Sequence, residues 1–600
     1  MKKEILNITK RITERSRKSR AQYLENLEKT RAKHPPVSNL SCGNFAHAIA
    51  GCNTNDKTIF KKEKNINIAI INSYNDMLSA HKTYESYPTI IREVANLNNA
   101  TAQVAAGVPA MCDGVTQGQP GMEMSLISRD IIALSTVIGL SHNMFNGAAY
   151  LGICDKIVPG MLIGALKFGY LPSIFIPGGP MSTGISNDEK AKIRKDFALS
   201  KIGKSDLLKG EMDAYHSKGT CTFYGTANSN QMLMEFMGLH LPGSSFVNPE
   251  SDLRRSLTEN SIEQLLKNIH NNENTLADII NEKSIVNGII GLLSSGGSTN
   301  LVMHVTAIAA AAGIKITLED FSDLSSLIPL LCKVYPNGKA DINDFHENGG
   351  IQFLINELLA NGSLHNDVNT VVGESLSHYT ETPEITNGKL SWKRASFKNY
   401  DTSIHRKYNN PFQSNGGLKV LKGNLGESIV KTSSLNKEDR IIKAKAMVFT
   451  HKDEFMDAFQ KGLLNKDVVV VIKNQGPKAN GMPELHYLTP ILSILQNRGY
   501  KVGLITDGRM SGASGKTNSA IHLSPESIEN GPISKIENDD MIEIDSVKGT
   551  LNVIVNEKEF NARKPVQTNI ENYGMGRELF NNLRSNINSS KDGGSFLNFF

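Results

Sequence analysis

Ala148-Ala-Tyr-Leu-Gly-Ile-Cys-Asp-Lys-Ile-Val-Pro-Gly160 passes from one apolar run into another, with a thiol, a carboxylate and an amine set between them. The first run, Ala148–Ile153, predicts a buried strand. The second opens a helix over Val158–Phe168. Cys154, Asp155 and Lys156 therefore fall in a strand-to-helix turn, where backbone amides stabilise a thiolate.

Outward from this turn the same alternation continues. Ile66–Asn72, Gln103–Val108 and Ser173–Ile176 predict strands, and Thr89–Leu97, Ser125–His142 and Ala227–Met237 predict helices. This is the β-α-β pattern of an α/β fold with a parallel sheet covered on both faces. Three unusual loops follow strands: Met111–Gly121, the Cys154 turn and Pro177–Pro180. In open α/β sheets ligands bind at the carboxyl ends of strands, so these loops are expected to converge on one crevice. The polar stretch Leu376–Gly417 reads as a domain junction. Beyond it, Val468–Ile472, Val502–Thr506, Met541–Ile544 and Leu551–Val555 predict strands, the last two half-exposed. The expected division is an α/β domain over 1–395 carrying the cysteines and a smaller, β-rich, barrel-like domain over 396–600.

A chain of 600 residues exceeds what one core supports. Its 39% hydrophobic and 21% charged residues are those of an ordinary globular enzyme. The net charge of +5 gives no case for nucleic acid and mildly favours an anionic substrate. The N-terminal run Lys10–Arg20 is basic, but Glu4, Glu14 and Glu25 argue against a transit peptide. The longest apolar runs, such as Ile131–Leu140, are too short for a bilayer. A cytoplasmic protein without a membrane partner is expected. The six cysteines are Cys42, Cys52, Cys112, Cys154, Cys221 and Cys332. They are sparse and form no CxxC pair, which disfavours a disulfide framework and a zinc ribbon alike. Any metal site must be assembled from separate loops.

Cys221 lies in Lys218-Gly-Thr-Cys-Thr-Phe-Tyr-Gly225, like Cys154 ahead of a helix, and Cys112-Asp-Gly114 sits at an equivalent strand end. A single cysteine is more often a small buried apolar residue than a ligand. Three thiols with one open position would suit an iron–sulfur cluster, and neighbouring carboxylates a hard cation such as Mg²⁺. In the second domain, Lys501–Thr517 invites a phosphate-loop reading that its spacing rejects, because Met510 stands where the first glycine is required. A serine nucleophile elbow fails as well: Arg509 and Ala513 occupy the glycine positions around Ser511. What remains is a turn with Ser511, Lys516 and amide donors for an anion. Glu484, after a proline, is by default a first-turn helix residue, and Ser294–Asn300 by default a helix cap.

Taken together, Cys154–Met161, Gly296–Asn300, Gly481–Glu484 and Asp507–Gly512 resemble, in order, the motifs of the dihydroxy-acid and sugar-acid dehydratase family. Arg11–Ser16, Asn72–His81, Met111–Met122 and Ser217–Asn228 point to a branch of that family acting on a phosphorylated sugar acid. The resemblance runs to about Pro565. It implies loss of water from that substrate, a homodimer, and a [4Fe-4S] cluster with Cys154 and Cys221 among its ligands. Cys112 is the candidate third ligand. Two-iron relatives carry a cysteine where this sequence has Ser79-Ala80 before His81. By the same resemblance Asp113, Asp155, Lys156 (as a carbamate) and Glu484 match Mg²⁺ ligands, and Ser511 the catalytic base. Lys516 is the candidate for the phosphate. The rival substrates are unphosphorylated sugar acids and 2,3-dihydroxy acids. From other classes, the failed Walker spacing speaks against an NTPase, and an iron–sulfur sensor has no need of Ser511 and Glu484.

Overall fold

The computed structural model describes residues 1–33, 40–62, 65–511, 515–565 and 573–599, with only the backbone of Lys452. Four strands, β1 (Asn67–Asn72), β2 (Thr101–Gly107), β3 (Gly147–Leu151) and β4 (Ser173–Phe175), form a sheet in the order β2-β1-β3-β4. Every pairing in it is parallel. β1 and β3 are buried along nearly their whole length, as their uninterrupted apolar sequences require. The helices Ser125–Leu140 and Ile157–Ala165 pack against each other. Gly160 and Gly164 set that approach: a Cβ at either would stand 2.5 Å from a carbonyl of the neighbouring helix.

The basic N-terminal run serves packing. It lies in the helix Lys3–Lys33, from which Arg11 and Arg15 pair with the fully buried side chain of Asp320. Arg20 donates to the carbonyls of Ala312, Ala277 and Ile280.

Two short hairpins follow, β5 (Asn369–Thr370) with β6 (Gly373–Glu374) and β7 (Glu381–Thr386) with β8 (Lys389–Arg394). The rest of the chain builds a closed barrel. Its strands are β9 (Leu418–Gly423), β10 (Gly426–Lys431), β11 (Ile441–Phe449), β12 (Val468–Ile472), β13 (Val502–Thr506), β14 (Asn518–Ser524), β15 (Met541–Asp545) and β16 (Thr550–Val553). They close in the order β10-β14-β13-β12-β11-β15-β16-β9. β11 to β14 pair in parallel, and helices cover the outside of that arc. The α/β class and the barrel-like second module are thus both present. The predicted strands and helices of both modules recur within a few residues of their expected bounds.

The chain's last segment returns to the first module. Arg129, buried in the helix Ser125–Leu140, donates to the carbonyls of Gly593 and Gly594 at 2.8 Å each. Asp130 accepts from Ser595 Oγ and the Phe596 amide. Among the described residues no helix is long and apolar enough to cross a membrane.

Candidate functional site

Cys154 follows β3 and its backbone is left-handed, with φ +74°. A non-glycine residue held there costs on the order of 1–3 kcal/mol, so the surroundings must impose it. They do so through Asn230, whose Nδ2 donates to the carbonyls of Cys154 at 3.3 Å and Asp155 at 2.8 Å. The turn then delivers Lys156 to the start of the helix Ile157–Ala165, with its side chain 1% exposed.

That buried ammonium is ion-paired with Asp113 and lies 3.6 Å from Asp155. Asp113 opens a short helix, Asp113–Thr116, just after Cys112, and also accepts from Ser125 Oγ. From the barrel side Arg509 reaches across: Nη2 lies 2.8 Å from Asp113 and Nη1 3.1 Å from Glu484. Oxygens of Asp113, Asp155 and Glu484 lie within 4.8 Å of one another. Three carboxylates thus surround two cations, nearly sealed from water. Burial alone would raise Asp113, but Lys156 and Arg509 hold it well below the ordinary carboxylate range. Burial and the charge of Asp113 push Glu484 up to about 7, and burial raises Asp155. The oxygen-rich set suits a hard divalent cation.

Glu484 is not the first-turn helix residue its sequence suggested. It pairs with Arg509 as an isolated parallel β-bridge, and Leu485 N donates to the Arg509 carbonyl at 3.0 Å. Gly481 makes the approach possible. Its φ is +64°, and a Cβ would stand 1.8 Å from the Glu123 carbonyl.

Beside the carboxylates lie the thiols. The Cys221 loop is threaded through a gap: Gly219 N donates to the Ser79 carbonyl, and a Cβ at Gly219 would meet Met181 N at 2.2 Å. Burial raises all three thiols, Cys221 to about 12 and Cys154 well above its ordinary value. Cys112 and Cys221 each add to the rise at Cys154, and Cys112 adds to that at Cys221, so the three share one neighbourhood. Thiols held this far from ionisation become thiolates when a cation compensates them. Soft thiolates beside hard oxygens fit an iron–sulfur group next to a divalent ion. Cys332, by contrast, is buried elsewhere and meets the Ser295 carbonyl.

Ser511 is 8% exposed, two residues beyond Arg509. The following Gly512-Ala-Ser514, part of the same motif, lies outside the described residues. Asn300 Nδ2 donates to the Met510 carbonyl at 3.4 Å and to Thr226 Oγ1 at 3.1 Å. The run Ser294–Asn300 is therefore not a simple cap. Thr299 precedes the helix Asn300–Ala311 without a side-chain cap bond, but Ser298 Oγ accepts from the Asn300 N–H at 3.3 Å, and the run also bonds to Ser229, Thr226 and Met510. Lys516 stands apart from the carboxylates. It is exposed, with Nζ 5.5 Å from the centre of the Tyr335 ring. Arg509, Ser125 and Asn230 were not singled out by sequence reasoning, although Arg509 lies inside a quoted motif.

A parallel-sheet module bearing thiols and carboxylates, completed by a barrel that supplies Arg509, Glu484 and Ser511, defines a two-module dehydratase. The chain belongs to the dihydroxy-acid/6-phosphogluconate dehydratase family: residues 65–379 match its N-terminal domain and residues 403–594 its C-terminal domain. It is 50% identical over 603 residues to an Escherichia coli (strain K12) protein named phosphogluconate dehydratase, covering 100% of both chains. Proteins of the same name from Pseudomonas aeruginosa and Helicobacter pylori are 49% and 51% identical, covering 99% of this chain and 98% of each relative.

Proposed function

We propose that the protein is a phosphogluconate dehydratase, eliminating water from 6-phospho-D-gluconate to give 2-dehydro-3-deoxy-6-phospho-D-gluconate. It would act in the cytoplasm, in the Entner–Doudoroff pathway. The observation that carries this reading is identity of about half the residues from end to end with enzymes of that name. Cys154 and Cys221, with Cys112 as third thiol, would hold a [4Fe-4S] cluster. Asp113, Asp155 and Glu484 would hold Mg²⁺; Lys156, ion-paired with Asp113, stays an ammonium, because a carbamate there would add a fourth negative charge. When bound, these groups supply Lewis acidity toward the C3 hydroxyl and the carboxylate.

The chain's own residues account for the rest. Ser511 takes the proton from C2. A serine is ordinarily too weak a base for this, and the field of Lys156 and Arg509 is what favours its ionised form. The same cations oppose the negative charge that grows on the substrate carboxylate as the proton leaves. The C3 hydroxyl departs as water, and the resulting enol tautomerises to the keto acid. Near-complete burial of Lys156 and Arg509 keeps solvent from screening them. Lys516, from the turn after Ser511, is proposed to meet the 6-phosphate. A homodimer is proposed as well, since Val104 on edge strand β2 and Leu134 and Ile138 on the adjoining helix are exposed apolar residues.

The test is turnover of 6-phosphogluconate against gluconate and 2,3-dihydroxyisovalerate, with electron paramagnetic resonance of anaerobically purified protein before and after substrate. Preference for either unphosphorylated acid overturns the substrate. A cluster-loaded protein without dehydratase activity overturns the enzyme reading. Lys516→Ala should raise KM for 6-phosphogluconate alone; an equal rise for gluconate removes Lys516 from the phosphate site.

A further inference from the structure

A second buried lysine stands on the thiol side of the site, and neither the proposed metal set nor the proton transfer uses it. Lys190 lies in the first turn of the helix Asn187–Ala198 and is 6% exposed. Its Nζ sits 4.7 Å from the centre of the Tyr215 ring and 5.4 Å from that of Phe223, two residues beyond Cys221. Its one hydrogen bond among the described residues is to Tyr215 Oη, at 3.4 Å. Glu211 and Asp341 bear on it only as more distant charges. Arg194, one turn on, is already spent on Glu211 through bonds of 2.5 and 2.8 Å. Lys190 is therefore a buried ammonium with aromatic faces around it and no carboxylate against it. Aromatic rings offset part of the desolvation cost but leave the charge without a counter-ion.

Its position separates it from the floor of the site. The helix Asn187–Ala198 packs on the helix Leu488–Asn497 of the barrel module. His486, two residues from Glu484, feels the charges of both Arg194 and Lys190. Tyr335, under Lys516, feels Arg194. Lys190, Arg194 and Lys516 are thus linked through His486 and Tyr335, and among the described residues none of the three forms an ion pair with Asp113, Asp155 or Glu484. A sugar acid whose carboxylate and C2 meet the Lys156–Arg509 pair would carry its far end, and a phosphate there, away from that pair.

Resting on the proposed activity, we infer that Lys190 is the buried cation that receives the substrate's 6-phosphate and sets the preference for phosphorylated sugar acids. A dianionic phosphate supplies the missing counter-charge and accepts a charge-assisted hydrogen bond from Nζ. Burial pulls the lysine toward its neutral form, and a bound phosphate opposes that.

The experiment compares holoenzyme carrying Lys190→Met, Lys190→Gln or Lys190→Arg with the wild type. It reads KM and kcat for 6-phosphogluconate, inhibition and calorimetric binding by inorganic phosphate, iron content and visible absorbance. Loss of one such charge-assisted contact should raise KM by about 10–100-fold and weaken phosphate binding in parallel. kcat should stay within about threefold and the cluster absorbance unchanged, with Lys190→Arg recovering most of the loss. Two neutral variants are used so that a folding defect in one leaves the other readable. Unchanged KM and phosphate binding in a folded neutral variant would overturn the inference, as would loss of iron, which would assign Lys190 to the cluster. If the wild type fails to turn over 6-phosphogluconate, the activity reading falls instead, and the phosphate-binding comparison still decides the role of Lys190.

Discussion

The two halves of the site solve opposite electrostatic problems. Among the carboxylates every charge has a partner: Asp113 meets Lys156 and Arg509, and Glu484 meets Arg509. Among the thiols compensation is weaker: Lys156 eases ionisation of Cys154 and Lys190 that of Cys221, but burial and the neighbouring sulfurs outweigh them. The carboxylate half is thus assembled by folding itself. The thiol half is shaped by the backbone but acquires its charges when a metal group binds. Mutations in the two halves should therefore fail differently, the first in stability and the second in loading.

The largest effect expected from this contrast is on activity. Cys154→Ser or Cys221→Ser should lower kcat by at least about 10³-fold, since a metal group contributes several kcal/mol of charge stabilisation. Iron content should fall with it while the denaturation midpoint of the metal-free protein stays near wild type. A metal-free Cys221→Ser protein that unfolds like a broken ion-pair network would erase the distinction. Next comes Arg509→Met, which strands Asp113 and Glu484 without their shared cation. Removing one partner from a buried network costs about 3–5 kcal/mol, read by chemical denaturation of metal-free protein. A cost under about 1 kcal/mol would mean that the carboxylates are not held by folding. Smaller again is Asn230→Ala. It releases the carbonyls of Cys154 and Asp155, each hydrogen bond contributing about 1 kcal/mol, and lets the left-handed turn relax. Faster iron loss on dilution is expected, with a stability change of about 1–2 kcal/mol.

What was legible in the sequence follows from how far each feature reaches along the chain. The Cys154 turn could be read because strand, turn and helix are contiguous and their apolar runs announce them. The barrel strands could be read from β-branched runs such as Val468–Ile472. Arg509 could not, because its partner Asp113 is 396 residues away and nothing local marks an arginine that will be buried. Ser294–Asn300 was legible in part, since Ser298 Oγ does accept from the Asn300 N–H as a cap would. Serine and threonine before a helix are caps by default, but here Asn300 spends its amide on Thr226 and on the carbonyl of Met510. Lys190 sits in an ordinary charged helix, and only the fold reveals that it faces inward.

The pH dependence of stability sharpens the contrast from a third side. Behind Arg509, Asp507 accepts from the amides of Gln475 and Ser527, and Glu526 from those of Lys478 and Ala479. Burial pushes Asp507 up to about 6 and Glu526 up to about 8. Their folded forms hold protons that the unfolded chain gives up near pH 4. The stability this contributes is complete below that value and declines as pH rises through 6 and then 8. Asp113 runs the other way. Held low by Lys156 and Arg509, it stabilises above its unfolded value and loses that contribution only under acid. Between pH 5 and 8 Glu484, raised to about 7, adds to the decline from Asp507 and Glu526, while buried histidines such as His81 and His405, held neutral, oppose it as pH rises toward 6.5. Glu526→Gln keeps an acceptor for the helix amides but has no proton to lose. It should flatten the decline by up to about 1.4 kcal/mol per pH unit, measured by denaturation at a series of pH values. An unchanged slope would mean that Glu526 is ionised in the folded protein, held by those amides as firmly as Asp113 is held by its cations.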